Sequence, residues 1–459
     1  MKPNQWSILI GVYVLFNPGG RKRKTANAWV NHPQQPTLHS RYPRLRTRQT
    51  NAYHRGRRHH DHEISSLFSS AVDFERNYNN TKAERGKDSS AQRKSTDLLP
   101  QAFVDAIQSL NTAASHPTDA RRIFHGRGGY HGSNCEHLTL DYFPHVYVLT
   151  SFDIDLSSDI LNQTQSLLSD VVTGISSNAG PNSDDESRSQ SFNFVYQFRG
   201  RDPSNGRQLC KTTLLAGCVP KPHIVTEVGG RLKYYVNILN NQNHGLFLDM
   251  LEGRKWVLEH SKDKRVLNMF AYTCAFSIAA SSGGAAEVVN IDMAKGALKS
   301  GQKNHKLNTE FDGPIDEDND DKSQESQQAR PPARVRFLAH DIFKSWGKIS
   351  KLGPYDIVIV DPPSYQKGSF IASKDYAKII RRLPQLVTAE RGCAVLCLNA
   401  PELSTSFLHE LMIEMAPEFR FVKRVSNPRT FPVIDEERAL KILIYERNGA
   451  SVTSTTARA

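Results

Sequence analysis

An α/β fold built on one parallel, doubly covered sheet is predicted, and three observations predict it. From Arg265 onward, apolar runs rich in Val and Ile alternate with helical segments, the pattern of a parallel sheet with helices on both faces. Acids end three successive runs, at Asp292, Asp341 and Asp361, where open α/β sheets gather ligands. The charge is also partitioned. Residues 1–60 hold 12 Lys and Arg and no acid, so the net charge of +12 belongs to that segment and the rest of the chain is neutral. A body coated with positive charge, as in general nucleic-acid binders, is therefore not supported. At 459 residues the chain can hold two or three domains.

Residues 1–118 read as a basic, low-order segment. The first 60 residues are Arg-rich and Pro-interrupted, and such a stretch cannot pack a core. They carry the bias of an organelle transit peptide, mitochondrial or plastid. A plain basic tail on a cytoplasmic protein reads the same way. The apolar run Ser7–Phe16 is too short for a bilayer, which needs ~20 residues. Leu98, Leu99, Phe103, Ile107 and Leu110 recur at helical spacing.

Residues 119–222 read as a small α+β domain. Phe124–Gly129 is a turn-rich loop, Tyr147–Leu156 a strand, Leu161–Val172 a helix, and Phe192–Gly200 a strand after a Ser/Asn/Asp-rich loop at 175–191. Residues 223–258 read as a hairpin around Gly229-Gly230 and a GLFLDM connector.

Residues 259–449 carry seven strands. They are Arg265–Ala271, Glu287–Met293, Val335–Asp341, Tyr355–Pro363, Gly392–Ala400, Phe419–Val425 and Ala439–Arg447. Helices fall at Ala275–Ser281, Ala294–Asn308, Ser373–Val387 and Ser406–Ala416. No helix separates the last two strands, so one is expected to run antiparallel at the far edge. Residues 310–332, with eight acids, read as a solvated insertion, and 450–459 as a tail. None of the six cysteines forms a CxxC pair, so no metal site is expected and a reducing compartment fits.

The strand ends carry the chemistry. FAYTCAF (Phe270–Phe276) turns into a helix N-terminus whose free N–H groups can meet a carboxylate. It lacks the glycines of a dinucleotide loop, which argues against a dehydrogenase. Asp292 can accept both hydroxyls of a ribose or cap the next helix. Asp341 can accept from an adenine amino group, with Ile342 at the ring face, or cap in its turn. In DPPSY (Asp361–Tyr365) two prolines fix a turn that presents Asp361 and the Pro362 carbonyl, and Tyr365 can stack on a planar substrate.

LNMFAYTCAFS, VVNIDM, FLAHDIF and YDIVIVDPPSYQKG, in that order, resemble the S-adenosylmethionine-dependent family of bacterial large-subunit ribosomal RNA methyltransferases. That family includes cytosine-C5 and guanine-N7 enzymes. The stretch Val225–Met250 is similar to its hairpin and GxFLD segment. The resemblance covers residues ~220–447 and implies a Rossmann-like, seven-stranded catalytic domain. It implies that Phe270, Ala271, Tyr272 and Thr273 line the methionine end of S-adenosylmethionine. Asp292, followed by Met293, would hold the ribose, and Asp341 and Ile342 the adenine. Asp249 would close the pocket from the side. Asp361, Pro362, Pro363 and Tyr365 would stand at the transfer point. RNA, ribosomal by resemblance, is the implied substrate.

Two departures stand out. Cys274 replaces a glycine usual in the family, so the side chain either crowds the cofactor or covers it. Met250 stands where the family has Arg, with Arg254 nearby. Cytosine-C5 chemistry needs a cysteine nucleophile. Cys397 lies one residue from the aligned place, and a buried structural thiol is the competing reading. Local arginines at 121, 122, 127, 199, 201, 381 and 382 can supply phosphate contacts or form solvated faces. A protein or small-molecule methyltransferase, and a non-catalytic module that keeps the fold, remain alternatives.

Overall fold

The computed structural model describes residues 98–112, 118–177, 192–202, 204–240, 242–309, 333–366 and 370–449. The basic segment 1–60, the acidic insertion, most of the 175–191 loop and the tail lie outside the described residues.

In chain order the first elements are α1 (Gln101–Gln108), β1 (Arg121–His125), β2 (Leu138–Phe143), β3 (Val146–Phe152), α2 (Ser158–Ser177), β4 (Phe194–Arg201) and β5 (Gln208–Ala216). The strands form one sheet in the order β1-β2-β3-β4-β5. Only β3–β4 is parallel, joined through α2. LTLDYF alternates along β2, so Leu138, Leu140 and Tyr142 enter a core with Phe103, Ile107, Leu168 and Val171 of α1 and α2. The other face carries Thr139, Asp141 and Phe143. Registers Thr139↔Thr150 and Thr150↔Gln197 extend it across β3 and β4. Strands β1, β2 and β5 were not anticipated, and the loop expected over Phe124–Gly129 starts only after His125, where β1 ends. The β2 run is short and half polar, and β5 is exposed along most of its length.

The hairpin follows as β6 (His223–Glu227) and β7 (Leu232–Val236), then α3 (Leu251–His260). The larger sheet and its helices are β8 (Arg265–Met269), α4 (Ala275–Ser282), β9 (Glu287–Asp292), α5 (Lys295–Thr309), β10 (Arg334–Ala339), α6 (Trp346–Leu352) and β11 (Ile357–Val360). After the two-residue strands β12 (Tyr365–Gln366) and β13 (Phe370–Ile371) come α7 (Ala372–Ile380), α8 (Leu383–Leu386), β14 (Cys393–Leu398), α9 (Thr405–Met415), β15 (Phe419–Val425) and β16 (Lys441–Arg447). The order is β10-β9-β8-β11-β14-β16-β15. Ile357 and Ile359 pack into one core with α3, α4 and the hairpin, whereas Val358 and Val360 pack into another with α6, α7 and α9. Both faces are therefore apolar, as a doubly covered sheet requires.

Two expectations are corrected. The antiparallel strand, β16, lies between β14 and β15 and not at the edge. There it pairs on both sides and its apolar ILIY run is buried, while β15 takes the exposed edge. The helix expected over 373–387 is two helices, because Pro384 cannot continue α7 and instead opens α8.

Candidate active site

β8 and β11 flank the switch point of the larger sheet, and the loops after them build the site. After β8 the backbone alternates into the left-handed region at Phe270 (φ 57°), Tyr272 (φ 47°) and Cys274 (φ 64°). Each such residue costs about 1–3 kcal/mol and persists only where surroundings over-determine it. They do so here. Asp292 Oδ2 accepts from the Tyr272 N–H at 2.9 Å, Thr273 Oγ1 donates to the Gly245 carbonyl at 2.6 Å, and Asn304 Nδ2 donates to the Thr273 carbonyl at 3.1 Å. Alternating backbone of this kind turns successive N–H groups toward one side, a concavity suited to a carboxylate. Ala271 and Thr273 are buried within the loop.

Cys274 resolves one departure. Its side chain is fully buried beside Ala271 and Leu298. A Cβ added at Gly301 would stand 2.3 Å from Cys274 Sγ. The thiol thus occupies the notch that Gly301 leaves in α5, and the glycine lost at 274 is matched by one on the facing helix.

Asp292 ends β9, and its Oδ1 accepts from the Ala294 N–H at 2.7 Å, so it braces the loop and caps α5's approach at once. Burial pushes its pKa up. Asp341 follows β10, accepts from the Phe343 N–H at 2.9 Å and faces Lys344 at 3.3 Å. These carboxylates end adjacent parallel strands, in register at Ala339↔Asp292. A ribose and adenine demand such acceptors side by side, so the residues present fit the cofactor. Ile342 is 4% exposed, held in the core, and offers little face to a ring. Met293 is exposed.

After β11 the turn Asp361–Ser364 is tied to the end of β14, where the Ser364 hydroxyl donates to the Asn399 carbonyl. Pro362 is buried and Pro363 half-buried. The Tyr365 backbone pairs with Ile371. Asp361 faces Asp249: burial, then the Asp249 carboxylate, push its pKa up to about 7, with Arg254 opposing. Burial also raises the Asp249 carboxyl. Arg254 is fully buried and holds Glu227 of β6 through two nitrogens, at 2.8 and 2.5 Å. Cys397 is 1% exposed, and burial with both carboxylates beside it keeps the thiol protonated. Such burial is that of a structural thiol.

Beyond Asp249 a cavity of about 810 Å³ opens between the two sheets. Arg122, Arg127 and Arg199 line it, with Asp141, Phe431 and Asn399. Arg122 grips Asp141 through Nε at 2.8 Å and Nη2 at 3.0 Å. Arg127 stacks over the Phe152 ring at 4.0 Å, and Arg199 donates to the Gln197 side chain and the Gln242 carbonyl. Burial brings both arginines down to about 10, so they stay charged at neutral pH. The segment between β15 and β16 closes this wall, with the Ile434 N–H donating to the Gly128 carbonyl at 3.0 Å. Arg121, Arg201, Arg381 and Arg382 do not line the cavity. Thr139, Asp141, Thr150 and His244 do. None of these four stands in a motif of the sequence; the one signal for two of them is the alternation in LTLDYF.

Comparison with known proteins places this geometry. A ribosomal RNA large subunit methyltransferase I from Aeromonas hydrophila is 31% identical over 159 residues, covering 34% of this chain and 35% of that protein. The protein of the same name from Tolumonas auensis is 28% identical over 232 residues, covering 49% and 53%. The chain thus spans from about a third to half the length of these curated relatives. The solved structure of an S-adenosylmethionine-dependent methyltransferase from Streptococcus mutans shares the fold, with a TM-score of 0.55 at 22% identity over 76% of this chain and 82% of that one. The family model described as S-adenosylmethionine-dependent methyltransferase runs over residues 121–446, through both sheets and every strand-end carboxylate above, and the chain belongs to that family.

Proposed function

We propose that the chain methylates a nitrogen of an RNA base, one that carries a proton in the free base. The observation that carries this is convergence. Arg122, Arg127 and Arg199, scattered in sequence, line one cavity whose far wall is Asp249 and Asn399. Arginines so placed suit a phosphate-bearing substrate, and the methyltransferase I relatives are named for ribosomal RNA.

Bound S-adenosylmethionine supplies an electrophilic sulfonium methyl. The chain's residues do the rest. The 270–274 loop and Asp292 hold the amino-acid and ribose ends, and Asp341 the adenine. Asp361 and the Pro362 carbonyl accept hydrogen bonds from the substrate nitrogen and aim it. The substrate nitrogen would take the methyl group, and the proton it loses would pass to the Asp361 carboxylate. A group with a pKa near 7 is suited to that exchange at neutral pH. Buried Cys397 disfavours cytosine-C5 methylation, which uses a cysteine thiolate.

The acid-free residues 1–60 support an organellar address for this activity. Fused to a fluorescent protein, they should carry it into mitochondria or plastids; diffuse fluorescence would remove the address and leave the chemistry. The function is tested by incubating the full chain with tritiated S-adenosylmethionine and total cellular RNA or protein. Label should enter the ribonuclease-sensitive fraction. Label confined to protein would overturn the reading.

A further inference from the structure

The small sheet turns its polar face to the cavity, and two groups there lack a hydrogen-bond partner. Thr139 Oγ1 and His244 Nδ1 are both buried and unsatisfied, their residues 1% and 7% exposed, and both residues line the cavity. Buried polar atoms are nearly always satisfied, so an orphan on a cavity wall points to something that enters. The charged neighbours are already engaged: Asp141 with Arg122, and Arg199 with Gln197 and Gln242.

The chemistry narrows the visitor. Burial, with Arg199 beside it, brings the His244 pKa down to about 4, so the imidazole is neutral. Phe143 stands edge-on to its ring at 5.3 Å and fixes its plane. A neutral imidazole nitrogen and a hydroxyl cannot neutralise a phosphate, but they match a ring edge that offers a donor and an acceptor. Phe152, Phe247 and Phe431 on the walls suit a planar ring. A cavity of about 810 Å³ is of the size that takes a nucleotide.

We propose that Thr139 and His244 read the polar edge of the target nucleobase, holding it so that its reacting edge faces Asp249 and Asn399. This rests on the RNA-base reading above and makes the small sheet the part that selects the base. Four arginines, 122, 127, 199 and 438, line the same cavity, so a flanking phosphate would meet positive charge there.

The test is calorimetric titration of the full chain, loaded with S-adenosylhomocysteine, with each of the four nucleoside 5′-monophosphates. It is repeated on Thr139→Val and His244→Phe. At least one nucleotide should bind saturably, and Thr139→Val should weaken it about tenfold, the worth of one good hydrogen bond. S-adenosylhomocysteine affinity should not change. The melting temperature of nucleotide-free Thr139→Val should hold or rise, because a methyl replaces an unsatisfied hydroxyl. A purely structural threonine would instead lower the melting temperature and leave nucleotide affinity alone. Equal nucleotide affinity in Thr139→Val, or no binding of any nucleotide by a chain that binds S-adenosylhomocysteine, overturns the proposal. Binding is read without turnover, so absence of methyl transfer to RNA is a separate failure, of the function and not of the pocket.

Discussion

Asp361 sits where burial and a second carboxylate cost the fold stability. Its folded pKa of about 7 stands above the 3.8 of an unperturbed aspartate. The folded state therefore holds the proton more tightly, and stability falls as pH rises from near 4 to near 7. Asp361→Asn removes that loss. Its melting temperature should exceed the parent's at pH 8 and match it near pH 4, as scanning calorimetry would show. The same change should lower kcat by about 10²–10⁴, the usual worth of a positioned proton acceptor. In the parent, log kcat should rise with pH and level off near 7; a flat profile would exclude Asp361 as the acceptor. Its place at a strand end was legible from the DPP turn. The raised pKa was not, because Asp249 comes from a distant connector and only the fold brings the two carboxylates together.

Among the elements, the loop after β8 depends on α5 as much as on itself. Cys274 holds a left-handed backbone and fills the space above Gly301. Gly301→Ala forces the two together and should cost about 1–3 kcal/mol, the range for an overpacked core. Cys274→Gly combined with it should recover much of that loss, with a coupling energy of at least ~0.5 kcal/mol in a double-mutant cycle from denaturant melts. Additive costs would show that the contact does not matter. The hairpin is anchored in a different way, through buried Glu227 and Arg254 of α3. Glu227→Gln strands a buried guanidinium and should cost about 3–5 kcal/mol. Sequence showed Cys274 as an anomaly but could not show its match, since Gly301 reads as one more helical glycine. Arg254, four residues after Met250, is buried and pairs with Glu227. Elements with strong periodicity, such as β8, β9 and β14, were legible. β2 was not, because its polar positions face a cavity and not solvent, which blurs the usual rule of apolar inside and polar outside.

At the scale of the whole molecule, two sheets divide the labour. The larger one carries Asp292, Asp341 and Asp361 at its strand ends, and its seven strands follow from a pattern of alternating strands and helices that survives in sequence. The smaller one presents a polar face to the shared cavity. That face was illegible, because Arg122, Thr139, Thr150 and Arg199 come from four strands and carry no common motif. No helix among the described residues is long and apolar enough to cross a membrane. Methyl transfer to a base nitrogen of RNA, at the junction of the two sheets, is the proposed activity. Its most direct test is nucleoside mass spectrometry of total RNA incubated with S-adenosylmethionine and either the full chain or Asp361→Asn. One N-methylated nucleoside is expected, formed by the parent and nearly absent with the variant. A C-methylated nucleoside, or the same product at the same rate from Asp361→Asn, would contradict it.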